Sequence, residues 1–185
     1  MMSRKIACAL AAGCTCVVKP AEDTPLTALA FASLVVEAGV PPGVINILPC
    51  SRIRVQGVGN ALAKHPLVRV LSFTGSTSVG KWLYERCSSG VKRLSLELGG
   101  NAPFIVFDSA DMNAAVCGLM IAKFRNTGQT CVSANRILVQ EGIYDAFVER
   151  FADAMDRELV VGHGLEPGVN QGPIINPRQF ARVSA

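Results

Sequence analysis

Apolar residues along this chain fall into two alternating spacings. Short runs of four to six residues read as buried strands: Cys14 to Val18, Val44 to Leu48, Val68 to Phe73, Arg93 to Leu98, Ala102 to Phe107 and Ile137 to Gln140. Between them the spacing becomes helical. Ile6 to Ala12 predicts the end of a helix that Gly13 closes with a left-handed cap. Thr24 caps a second helix with Pro25 in its first turn, and Leu26, Leu29, Ala30, Leu34 and Ala38 mark its apolar face before Gly39 and Pro41-Pro42. Arg52 to Ala63 is a weaker helix, since Gly57 and Gly59 lie inside it. Ser76 to Cys87, Asp111 to Lys123 and Ile143 to Glu158 complete the set, and residues 162–185 read as loop. Strands alternating with helices in this way predict an α/β fold built on a doubly wound parallel sheet, which binds ligands beyond the carboxyl ends of its strands.

Composition narrows the classes of function. The chain has 185 residues, half of them hydrophobic and 17% charged, enough for a sizeable core. A net charge of +4 with no basic run excludes nucleic acid as an expected partner. Seven cysteines without a C-x-x-C pair, beside only two histidines, suit a reducing compartment and argue against a disulfide framework or a bound metal. The longest apolar run, Ile6 to Val18, is broken by Gly13 and Thr15 and is shorter than the roughly 20 residues of a membrane span.

Four stretches carry chemistry. The polar loop from Phe124 to Arg136 holds Cys131 behind the small or polar residues Gly128-Gln129-Thr130, so its sulfur is reachable for attack on a carbonyl carbon. Seen alone, a cysteine is more often a buried small hydrophobe. Glu97 stands between Leu96 and Leu98 at a strand end, where partial desolvation favours general-base duty. Lys19-Pro20-Ala21-Glu22 follows the first strand and, seen alone, reads first as a solvated loop that caps a helix; beside a bound nucleotide Lys19 could bond ribose hydroxyls and Glu22 could accept from a 2'-hydroxyl while repelling a 2'-phosphate. Gly75-Ser76-Thr77-Ser78-Val79-Gly80 joins a strand to a helix N-terminus, an anion site suited to a pyrophosphate. Gly75 to Lys81 nearly matches a phosphate loop, but Trp82 follows the lysine and cannot ligate magnesium. His65 and His163, beside Pro66 and between glycines, read as surface residues.

Glu97-Leu98-Gly99-Gly100 and Gly128-Gln129-Thr130-Cys131, in that order and at that separation, resemble the two active-site signatures of the aldehyde dehydrogenase superfamily. Lys19 to Pro25 and Ser72 to Thr77 resemble its coenzyme segments, so the likeness runs from about Arg4 to about Asn176. It implies Cys131 as nucleophile and Glu97 as base, with NAD bound by Lys19, Pro20, Ala21, Glu22 and by Gly75 through Gly80. It further implies a border near Glu97 to Gly100, with residues 1–98 belonging to the NAD-binding domain and 99–185 to the catalytic domain. Lys123 to Cys131 and Ala102 to Ser109 are similar to the members acting on succinate semialdehyde, where arginines matching Arg4 and Arg125 hold the distal carboxylate. Those members often carry a second cysteine two residues after the nucleophile; here Ser133 stands, so no redox switch is expected. The resemblance implies a small aldehyde substrate and a homo-oligomer, a tetramer, placed in the mitochondrial matrix of a eukaryote or in bacterial cytoplasm. It also marks the sequence as a fragment, the family's oxyanion asparagine and any targeting segment lying upstream. Three alternatives stay open: an inactive truncated product that only associates with full-length subunits, a related semialdehyde dehydrogenase, and a cysteine hydrolase, the last lacking a histidine in triad context.

Overall fold

The computed structural model describes residues 1–185, and several of its helix ends follow the capping chemistry of the sequence, although Thr24, at the start of the second helix, makes no side-chain cap bond. Gly13, at φ 73°, takes the left-handed position after α1 (Met2–Ala11), and its N–H bonds Leu10 at 2.9 Å. The chain then forms β1 (Cys16–Val18), α2 (Pro25–Glu37), β2 (Ile45–Ile47), α3 (Val55–Lys64), β3 (Val70–Thr74), α4 (Thr77–Ser88) and β4 (Arg93–Glu97). These belong to a compact unit, Met1–Leu98. A second unit, Gly99–Ala185, holds β5 (Pro103–Val106), α5 (Met112–Phe124), β6 (Arg136–Val139), α6 (Tyr144–Glu158) and α7 (Pro177–Ser184).

Every strand pairing is parallel, as the βα alternation requires, because a parallel neighbour can be reached only through a crossover. The strands associate as three pairs, β1 with β2, β3 with β4, and β5 with β6. In the first unit α3 and α4 cover β3 and β4 around Ala63, Leu71, Leu83 and Cys87, with Trp82 and Phe73 at the margin. In the second, Val106, Leu119, Ala134 and Phe147 form the core between β5, α5 and α6. Phe147 is 2% exposed, and burying a side chain of its size contributes about 2 to 3 kcal/mol relative to leaving it in water.

Three predicted features shift. The face assigned to α2 is outside: Leu26 is 76% and Leu34 61% exposed, while Ala28 is buried. Apolar residues line almost the whole circumference of this helix, so spacing alone cannot choose a face. The third helix begins at Val55 rather than Arg52, since Ser51 to Arg54 forms a turn closed by Arg54 N–H to Ser51 O at 2.9 Å. The C-terminal stretch read as loop contains α7, started by Asn176, whose side chain accepts from Gln179 N at 2.8 Å, and by Pro177 in its first turn. No helix is long and apolar enough to cross a membrane.

Candidate active site

The loop carrying Cys131 is anchored at its start by aromatic stacking. Phe124, the last residue of α5, stacks on Phe151 of α6 at 6.2 Å between ring centres, and Phe151 stacks on Phe147 at 6.0 Å. The helix cannot continue past Arg125, because Asn126, Thr127 and Gly128 take left-handed backbone at φ 55°, 56° and 68°. A non-glycine residue pays about 1 to 2 kcal/mol for that conformation, so two in succession demand support from their surroundings. Some of it is local: Gln129 N–H bonds Asn126 O at 3.1 Å, and Asn126 Nδ2 bonds Gln129 O at 3.2 Å.

A second turn, closed by Ser133 N–H to Thr130 O at 3.2 Å, puts Cys131 and Val132 at its tip, where both are exposed. Ser133 points inward. It is 1% exposed and its hydroxyl donates to the Lys123 carbonyl at 3.1 Å, satisfying a helix-end acceptor. Ala134 N–H bonds Ala122 O at 3.2 Å, and Lys123 Nζ reaches Asn135 Oδ1 at 2.9 Å. The thiol is therefore reachable on a turn fixed from behind. Arg125 is exposed in the same loop.

Glu97 ends β4. Exposure alternates along that strand, so Leu94 and Leu96 turn inward and Glu97 outward with Arg93 and Ser95. Its carboxylate is exposed, not partly desolvated as its leucine neighbours suggest, since adjacent residues of a strand face opposite ways. Its backbone is engaged: Thr74 and Glu97 are register partners, and Gly75 N–H donates to Glu97 O at 3.1 Å.

Gly75 leads into α4, whose N-cap Ser76 accepts from Val79 N–H at 3.4 Å and contacts the Ser78 hydroxyl at 3.1 Å. Thr77, Ser78 and Val79 are exposed over this first turn, and Gly80 is buried against Leu98. The turn offers hydroxyls and helix-end N–H groups to an anion.

Lys19 and Glu22 bond each other rather than standing free. Lys19 Nζ lies 2.8 Å from Glu22 Oε1 and also donates to Pro20 O at 2.6 Å. Burial pushes the Glu22 carboxyl up, but the hydrogen bonds from Lys19 and from its own backbone, with the charges of Lys19 and Arg52, hold it below the ordinary carboxylate value. Pro20 is buried, and Ala21 and Glu22 line a cavity of about 250 Å³ with Pro25, Pro49, Cys50 and Ser51. The last three residues were not expected as site residues. They follow β2, and only its parallel pairing with β1 sets them beside Lys19 to Glu22. Arg4 is exposed on α1, while its neighbour Lys5 bonds Ser72 Oγ at 2.6 Å. Both histidines are exposed, each Nδ1 accepting from a backbone N–H two residues on.

Parallel βα units, with polar segments at their strand ends and an exposed cysteine on a braced loop, define the class as an α/β protein. Residues 1–185 match the model of the aldehyde dehydrogenase family, and the chain belongs to that family. It is 58% identical over 183 residues to mitochondrial succinate-semialdehyde dehydrogenase of Rattus norvegicus, covering 99% of this chain and 35% of the relative. It is 54% identical to succinate-semialdehyde dehydrogenase [NADP(+)] GabD of Escherichia coli, over 99% of this chain and 37% of that protein. The crystal structure of succinate-semialdehyde dehydrogenase from Burkholderia pseudomallei superposes with a TM-score of 0.94 at 50% identity, covering 99% of this chain and 37% of the other. The chain thus spans about a third of the length of the relatives it matches.

Proposed function

We propose that this chain supplies the nucleophile, the base and the coenzyme segments of an enzyme that oxidises succinate semialdehyde to succinate. The observation that carries the reading is the exposed Cys131 on a turn braced by the buried Ser133. The Cys131 thiolate adds to the aldehyde carbon to give a thiohemiacetal, whose oxyanion the Cys131 backbone N–H stabilises. When bound, a nicotinamide coenzyme would supply the acceptor for the hydride this carbon gives up, and Cys131 would then hold a thioester. Glu97 takes a proton from water, the water attacks the thioester carbon, and the thiol departs with succinate released.

The first unit, Met1–Leu98, serves as part of the coenzyme-binding domain and the second as part of the catalytic domain. The α4 first turn fits a pyrophosphate, and the cavity beside Glu22 and Ser51 fits a ribose. The Glu22 carboxylate, kept ionised by Lys19, disfavours a 2'-phosphate, so NAD is preferred over NADP. Arg125 and Arg4 hold the substrate's distal carboxylate through charge-assisted bonds. The working enzyme is a homo-oligomer, a tetramer, in the mitochondrial matrix of a eukaryote or the cytoplasm of a bacterium.

The test is covalent. With succinate semialdehyde and NAD, Glu97→Gln accumulates a succinyl group on the Cys131 peptide, read by mass spectrometry, and Cys131→Ala forms neither adduct nor NADH. Adduct-free Cys131 with no coenzyme reduction would favour a chain that only associates with full-length subunits.

A further inference from the structure

The loop that presents Cys131 is clasped by a segment far along the chain. Gln129 uses both ends of its amide there: Nε2 donates to Pro173 O at 3.3 Å, and Oε1 accepts from Ile175 N–H at 3.0 Å. Gln171 Nε2 donates to Phe124 O at 3.3 Å, and Gly172 N–H to Thr127 Oγ1 at 3.3 Å. The clasp therefore grips the loop at its entry, at a left-handed residue and two positions before the thiol.

The segment is itself anchored. Gln171 N–H bonds Val160 O at 3.0 Å, Gly162 N–H bonds Gln171 O at 3.1 Å, and Asn170 Nδ2 bonds Glu158 O, the end of α6, at 2.6 Å. A strained double left-handed turn persists only when its surroundings over-determine it. The clasp adds four bonds from an element tied to a core helix.

We propose that Gln129 and Gln171 are positioning residues: through residues 171–175 they hold the loop in the one conformation that presents the Cys131 thiol. The proposal rests on Cys131 being the nucleophile, and neither glutamine touches the reacting atoms. Gln129→Met and Gln171→Met keep size and remove hydrogen bonding, and Gln129→Glu keeps the acceptor for Ile175. In the full 185-residue chain the iodoacetamide labelling rate of Cys131 is measured against that of exposed Cys117, with amide exchange of residues 124–135 against α6.

Each methionine variant is expected to change the Cys131 to Cys117 ratio by at least about twofold, the low end of coupling within one hydrogen-bond network, with faster exchange in 124–135 and unchanged exchange in α6. The double variant shifts the ratio by less than the product of the singles, and Gln129→Glu shifts it less than Gln129→Met. An unchanged ratio, or changes shared by Cys117 and α6 that reflect a general loss of structure, would overturn the proposal. Should the ratio move as stated while Cys131 forms no succinyl adduct, the clasp stands and the nucleophile reading fails.

Discussion

The Gly75 N–H donates to the Glu97 carbonyl at 3.1 Å. This bond extends the parallel ladder of β3 and β4 by one step beyond the Thr74 and Glu97 pair, so the segment that opens α4 and the candidate base leave the sheet side by side. Gly75 permits it. A Cβ there would lie 2.5 Å from the Phe73 ring, which packs at the margin of the first unit's core. Gly75→Ala is expected to destabilise the chain by about 1 to 3 kcal/mol, as overpacking does, measured by urea unfolding. Phe73→Leu in the same background should recover part of that loss.

Ser133 is the buried brace behind the turn that carries Cys131. Ser133→Ala removes the donor to the Lys123 carbonyl and should cost about 1 kcal/mol in denaturant unfolding, a typical net hydrogen bond. Ser133→Thr, which keeps the hydroxyl but adds a methyl to a buried site, separates loss of the bond from overpacking.

With a hydroxyl rather than a thiol two residues beyond Cys131, the loop has no partner for a reversible disulfide. Mild peroxide should carry Cys131 up the oxidation ladder, and dithiothreitol should leave its later labelling incomplete. Full recovery of labelling would contradict this.

Glu22 gives the first unit a pH dependence of known sign. Its carboxyl titrates below the ordinary value in the folded chain, so its contribution to stability is complete above the unfolded value and is lost as pH falls through the folded one. Glu22→Gln should be less stable than the parent at pH 7 by at most about 1 kcal/mol, the scale of a partly exposed ion pair, and the gap should close in acid below the carboxylate range. Unfolding curves of both proteins between those limits check it. Glu22→Ser should also raise the ratio of NADP to NAD use, on the reading that the carboxylate repels a 2'-phosphate.

Cys87 is 1% exposed in the core beside Leu71 and Leu83. Burial pushes its thiol up, more than the Lys92 charge draws it down. Iodoacetamide at pH 8 should label Cys117 and Cys131 in the native chain and leave Cys87 untouched until the first unit unfolds. Cys87 labelling against urea concentration then reports the opening of that unit alone.

Much of the fold was legible in the sequence because its signals are local. Gly13 and Asp111 ended and began their helices as expected, and the βα alternation alone implies parallel strands. The motifs around Glu97 and Cys131 pointed to the family that the comparison establishes. What the sequence left open depends on contacts between distant residues. The outer face of α2 and the placing of Pro49, Cys50 and Ser51 beside Glu22 follow from strand pairing and packing. Gln171 and Gly172 lie in the stretch that reads only as loop, and the fold alone brings them against Phe124 and Thr127. Periodicity and caps are read over a few residues, so the chain itself determined its elements. Which hydrogen-bonding groups meet across some forty positions is decided only when those elements close on one another.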